Sequence, residues 1–149
     1  MIGKLFYTED SWAMLILRLA LGIVFLAHGS QKVLGLFGGP GLSQTFKTFS
    51  SMGIPPFFAA LDVAAEFLGG LFLIIGFLTR VSALGIAAVM VVAVYMVHWH
   101  NGFFMNWFGR MPAGKEGFEY HILAFGAAVA LVFKGGGKLS LDRAVAKKL

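Results

Sequence analysis

The stretch WAMLILRLALGIVFLAHGSQKVL, Trp12 to Leu34, decides the fold class. It is apolar almost throughout and longer than the roughly 20 helical residues that cross about 30 Å of hydrocarbon, yet it carries Arg18, His28 and Lys32. An ionised side chain at the centre of a membrane helix costs about 2.5–3.5 kcal/mol on insertion scales. Such residues persist where they neutralise one another between helices or where they line a site. Three further apolar runs lie downstream, at 57–78, 81–98 and 118–133. Asp62 and Glu66 interrupt the first of these, His98 ends the second, and Glu119 and His121 open the third. The last run is short and must borrow flanking residues or thin the bilayer.

Hydrophobic residues make up 58% of the 149 and charged residues only 13%, a balance foreign to ordinary soluble domains. The expectation is an all-α protein: a transmembrane four-helix bundle, one domain over 1–149, multi-pass in the plasma (inner) membrane. Its constant partner is then the lipid bilayer, and nucleic acid is not expected. Cysteine is absent, which removes disulfide, thiolate–metal and persulfide chemistry by this chain alone. The N-terminus does not read as a cleaved signal, because Glu9 and Asp10 precede the apolar run and no small-x-small site closes it. Trp12–Leu34 is read as a retained span, with Asp10 or Ser11 as its N-cap.

Four spans put the N-terminus, the turn at Thr79-Arg80 and the C-terminal tail on one side, with Lys4, Arg80, Lys134, Lys138, Arg143, Lys147 and Lys148. The other side has Lys32, Lys47, Arg110 and Lys115. The excess places both termini in the cytoplasm by the positive-inside rule. His28 and Lys32 then fall in the outer half of the first helix and Arg18 in its inner half. Pro55-Pro56 suits the start of the second helix, which puts Glu66 near the midplane and Asp62 about 6 Å further out at 1.5 Å per residue. His98, Glu119 and His121 lie on the outer side as well, so a shared polar cavity in the outer half of the bundle is expected.

Asp62 and Glu66, four apart, face the same way. Depth pairs Arg18 with Glu66, and Asp62 with His28 or Lys32. On one reading these are two interhelical ion pairs that hold the bundle. On the other, Glu66 and His28 handle a proton or a ligand.

Residues 42–52, with Leu42, Phe46, Phe49 and Met52 at helical spacing, read as a short amphipathic helix on the outer surface. Residues 139–149 read as a capped, basic, surface-lying helix drawn to anionic lipid. The run from His98 to Met111, rich in Trp and Phe, is either an interfacial aromatic belt or a lid over the outer cavity. Ala60, Ala64, Ala65, Gly69, Gly70 and Gly76 give the second helix a small-residue face; Gly85, Ala87, Ala88 and Ala93 do so for the third, and Gly126 and Ala130 for the fourth. His98-Trp-His100 points apart on a helix, and no EXXH or HXXXH spacing occurs, so neither a metal nor a haem is expected.

Several stretches together resemble one known family. Arg18-Leu-Ala-Leu-Gly22, Phe25-Leu-Ala-His28-Gly29-Ser-Gln-Lys32, Met52-Gly-Ile-Pro55, Glu66-Phe-Leu-Gly69-Gly70 and Gly76-Phe-Leu-Thr79-Arg80 are similar to the DoxX family of small four-helix membrane proteins. So are His98, Gly102-Phe103, Gly117-Phe-Glu119 and the closing Gly135-Gly-Gly-Lys-Leu-Ser140-Leu-Asp142. The family is named for a small subunit of a thiosulfate–quinone oxidoreductase. Other members are linked to redox complexes with superoxide-handling and sulfur-transfer partners, or to quinone stress. The resemblance implies the fold strongly and the activity weakly.

Combined with the polar outer half, it suggests a quinone-linked oxidoreductase subunit. Glu66, His28 and Arg18 would carry the chemistry, and Lys32, Asp62, His98, Glu119 and His121 would bind the ligand, a quinone or an anion such as thiosulfate. No flavin, iron–sulfur or nicotinamide site is recognisable, so the chain is not self-sufficient and a soluble or membrane redox partner brings the electrons. The alternatives are a non-enzymatic scaffold or assembly factor for a redox complex and, ranked last, a small transporter. A homo-oligomer is compatible with so small a bundle.

Overall fold

Apolar runs separated by glycine and proline breaks become helices of the lengths those breaks allow. The computed structural model describes residues 2–112 and 114–148, without the side chains of Ile2 and Lys4; the charge of Lys4 and the last residue of the 139–149 segment, both used above, lie outside the described residues. Seven helices follow in order: α1 (Ile2–Phe6), α2 (Trp12–Leu34), α3 (Gly41–Ser51), α4 (Pro56–Ile75), α5 (Thr79–Ala93), α6 (Glu119–Lys134) and α7 (Leu141–Ala146). There is no strand among the described residues. Three segments are long and apolar enough to cross a membrane, Trp12–Leu34, Pro56–Ile75 and Thr79–Asn101. α6, with 16 residues, is the short fourth helix expected. The chain is a multi-pass helical membrane protein.

α2 packs chiefly on α4, α4 on α5 and α5 on α6, and α6 closes back on α2. Phe25, Leu73, Ile86, Ala128 and Leu131 fill the centre. Ile16, Ile23, Leu84, Val91 and Leu123 are exposed on the outside, where lipid solvates them at no cost. The α2–α4 register is set by glycine. A Cβ on Gly29 would stand 2.5 Å from the Phe67 Cα, and one on Gly22 would stand 3.0 Å from the Gly70 carbonyl oxygen, so the two backbones touch. Gly85 meets Ala65 across α4–α5, as the small-residue faces suggested, whereas a Cβ on Gly126 would meet no neighbour within 4 Å among the described residues; Ala124, Ala128 and Leu131 form the contact face of α6 instead.

The ends are capped as the sequence indicates. Ser11 accepts from the Met14 amide, and Pro56 takes the first turn of α4. α3 is the expected amphipathic helix, with only Thr45 fully buried. The N-terminus, the α4–α5 turn and the tail do share one end: Arg80 donates to the carbonyls of Tyr7 and Val132, and Lys134 pairs with Glu9 at 2.8 Å.

The tail is more than a surface helix. Asp142 is 1% exposed, and its carboxylate accepts from the Leu78 and Thr79 amides at 2.7 and 2.8 Å, capping the start of α5. Leu78 itself sits at φ +47, a conformation a branched residue adopts only when held. Asp142→Asn can accept one of these amides but opposes the other with its own NH2, so it is expected to lose about 2–3 kcal/mol. Denaturant unfolding of the detergent-solubilised protein measures this.

Candidate functional site

Lys32, in the last turn of α2, faces the first half of α4, where four-residue spacing stacks Asp62 above Glu66. Its Nζ lies 2.6 Å from Asp62 Oδ2 and 2.9 Å from Glu66 Oε2. Glu66 is 5% exposed, and its Oε2 is ion-paired to the ammonium yet receives no hydrogen bond of proper geometry among the described residues. Two carboxylates therefore share one ammonium. On the remaining side Lys32 Nζ is 5.2 Å from the centroid of the Phe49 ring, which α3 lays over it as a cation–π cover.

The cluster forms one end of a groove of about 920 Å³ between α4 and α5. Apart from the cluster, its walls are mostly hydrocarbon, with Phe58, Leu61 and Leu68 on one side and Val89, Val92 and Met96 on the other. Leu61, Leu68 and Val92 are also exposed, so the groove opens sideways toward lipid. Its size and its few polar groups at one end are those of a site for an elongated apolar ligand with a polar head.

A second polar group lies apart from these bonds. α5 gives way to a π-helical turn over Val94–His98, an irregularity that re-aims side chains. His98 stacks against His121 with ring centroids 4.2 Å apart. His98 Nδ1 is 2.7 Å from the Glu116 carbonyl; a carbonyl only accepts, so the proton resides on Nδ1. His121 is buried and its Nδ1 has no hydrogen-bond partner among the described residues. Two rings fall short of the three or four protein ligands of a metal centre, and among the described residues no group of three His, Asp or Glu is placed to hold an ion.

Of the expected site residues, Arg18, His28 and Glu119 make no hydrogen bond or ion pair with these two groups among the described residues. Depth led to an Arg18–Glu66 pair, and that pair is not formed. Arg18, 1% exposed, spends all five N–H donors on carbonyls: Gly136 at 2.9 Å, Leu73 at 2.7 Å, Ile74 at 2.8 Å, Lys138 at 3.4 Å and Leu139 at 3.1 Å. It caps the C-terminus of α4, where unpaired carbonyls and the helix dipole favour a cation. Asp142 does the reverse for α5, so opposite charges clasp the two helix ends of one turn. Asp62 pairs with Lys32, one of the two partners expected. His28 is exposed and makes no hydrogen bond among the described residues. Glu119 ties down the aromatic loop, accepting from the Met105 amide at 2.9 Å and from the Trp107 indole. Trp99 stacks on Phe118 with centroids 5.6 Å apart, and Glu119 N donates to the Phe103 carbonyl, so the loop is pinned rather than loose. His100 lies in a 3-10 turn, exposed.

Phe49 and Asp142 went unassigned in the sequence. Asp142, two residues after the Ser140 cap, reads locally as a solvated first-turn carboxylate, and the amides it caps lie 63 and 64 residues away.

The family model "DoxX" matches residues 13–99 and the model "TQO small subunit DoxD" matches residues 57–149. A Bacillus subtilis (strain 168) protein provisionally named an oxidoreductase, CatD, is 30% identical over 133 residues, 89% of this chain and 87% of its own length. The Escherichia coli (strain K12) inner membrane protein YqjF is 30% identical over 134 residues, 90% of this chain and 92% of its own. An uncharacterized membrane protein of Mycobacterium tuberculosis (strain ATCC 25618 / H37Rv) is 30% identical over 154 residues, 97% of this chain and 88% of its own. No solved structure matches the chain.

Proposed function

The chain belongs to the DoxX family of membrane proteins, and from that premise we propose that it is the membrane subunit of a quinone-linked oxidoreductase complex in the plasma (inner) membrane, with both termini cytoplasmic. The observation that carries this reading is the Lys32–Asp62–Glu66 cluster at the end of a lipid-facing apolar groove. The matched description of a TQO small subunit and a relative named for oxidoreductase activity belong to the same class of chemistry.

The residues present fit such a ligand. The hydrocarbon walls suit an isoprenoid tail entering from the bilayer. Lys32 Nζ would donate to a ring carbonyl, and the Glu66 carboxylate beside it would accept from a ring hydroxyl. When bound, a quinone supplies two-electron, two-proton carrier chemistry. Asp62 keeps the ammonium charged and in position, Glu66 holds or releases a proton at Oε2, and Phe49 excludes water above them. The electrons come from a partner protein. Two carboxylates against one ammonium disfavour an anion such as thiosulfate at this place. A permeation path gains no support either, because the donors of Arg18, the polar group of the opposite half, are all engaged.

Extraction of the protein purified in mild detergent tests the reading against a scaffold or assembly role, which requires no ligand. A near-stoichiometric quinone in the organic phase, identified by absorption and mass, is expected. An empty protein that also fails to bind a short-chain quinone analogue would leave the scaffold.

A further inference from the structure

Opposite the Lys32 cluster, where the chain ends meet, Asp10, Trp12, Lys138, Leu139, Arg143 and Lys147 frame a hollow of about 470 Å³. Trp12 opens α2 at the membrane boundary and is 57% exposed; Lys138 Nζ rests 4.8 Å from the centroid of its ring. Leu139, between Lys138 and Ser140, is turned outward at φ +52 and is 75% exposed. Cations and apolar tips thus border one hollow at the depth where a lipid headgroup meets its acyl chains.

The charge is unbalanced. Three cations stand against Asp10, which pairs with Arg143 at 2.5 Å and with Lys138 at 3.6 Å. The hydrogen bond from Arg143 holds the Asp10 carboxyl below its usual range, so Asp10 stays ionised at neutral pH and competes for the cations. Lys147 has no such partner among the described residues and is exposed.

We propose that this hollow binds the phosphodiester headgroup of an anionic phospholipid, with Lys138, Arg143 and Lys147 on the phosphate and Trp12 and Leu139 against the glycerol and first acyl carbons. Free phosphate presents the same charge but nothing for Trp12 and Leu139 to hold.

Native mass spectrometry of the full chain in detergent, titrated with phosphatidylglycerol, phosphatidylcholine or inorganic phosphate, tests this. The expected result is phosphatidylglycerol retained at least about tenfold more tightly than phosphatidylcholine, and not displaced by inorganic phosphate at equal concentration. The double variant Lys138→Gln, Lys147→Gln leaves the Asp10–Arg143 pair in place and should reduce that retention about tenfold or more, whereas Lys47→Gln with Lys115→Gln, at the other end, should not. Asp10→Asn removes the competing carboxylate and should strengthen retention several-fold, an effect that damage to the fold would not produce. Equal retention of the two lipids, an unaffected double variant, or displacement by inorganic phosphate would overturn the proposal. So would an Asp10→Asn variant that binds no better than the parent.

Discussion

Arg18→Met is expected to destabilise the protein by about 4–6 kcal/mol, the largest effect of any single substitution considered. The guanidinium is 1% exposed and donates to five carbonyls. A methionine fills part of the volume but leaves four of those acceptors without a donor, since among the described residues only Leu73 also accepts from a backbone amide, that of Gly76, at about 1–3 kcal/mol for each one that stays dry. Of the five carbonyls, two belong to the last turn of α4 and three to the 136–139 segment, so the variant also unties the tail from the α4–α5 turn. Arg18→Lys should recover less than half of the loss, because three donors on a single nitrogen cannot span both sets. Adding Glu66→Gln should then be additive to within about 0.5 kcal/mol. The partners of Arg18 begin at Leu73, seven residues beyond Glu66, about 10 Å along the helix at 1.5 Å per residue. Unfolding of the four proteins in one detergent decides the matter. A coupling energy above about 1 kcal/mol would mean that Arg18 does reach Glu66.

That contrast marks where the sequence was legible. Hydropathy and capping residues located α2 at Trp12–Leu34, matching the expected bounds, and placed α4 and α6 to within a few residues; α4 stops at Ile75 because Gly76 turns to φ +69. Depth along the membrane normal correctly brought Asp62 to the level of Lys32. It failed for Arg18, because hydropathy does not fix interhelical register. The backbone contacts of Gly22 with Gly70 and of Gly29 with Phe67 do, and these require knowing which glycine meets which helix. Asp142 was unreadable for a similar reason: the amides it caps are 64 and 63 residues away, and nothing local distinguishes it from a solvated tail carboxylate. The pairing of His98 with His121 depends on a π-helical turn that shifts the phase of everything after Ala93, and no periodicity in the sequence announces it. The polar residues of the first half of α4 and of the loop end therefore divide among an ion cluster, a histidine pair and a loop anchor, while Arg18 and Asp142 form a structural clasp at the other end.

The second large effect is expected at Lys32, where structure and function separate. Lys32→Met removes the ammonium shared by Asp62 and Glu66 and strands two carboxylates in a largely apolar setting, with an expected loss of about 3–5 kcal/mol, the usual consequence of breaking a buried pair from one side. It should also abolish retention of a quinone analogue. Loss of binding in a weakened protein would prove little alone, so the neutral cluster Lys32→Met, Asp62→Asn, Glu66→Gln is the informative companion. With no charge left to desolvate, it should recover most of that loss, since two neutral amides cost far less to bury than two carboxylates stripped of their counter-charge. Its groove keeps the same hydrocarbon walls, so any affinity that comes from the tail alone survives. Affinity that depends on a donor to a ring carbonyl and an acceptor for a ring hydroxyl does not. A stable triple variant that no longer retains the analogue would assign the cluster to ligand recognition. One that retains it undiminished would reduce Lys32, Asp62 and Glu66 to a brace between α2 and α4 and remove the quinone site from this groove.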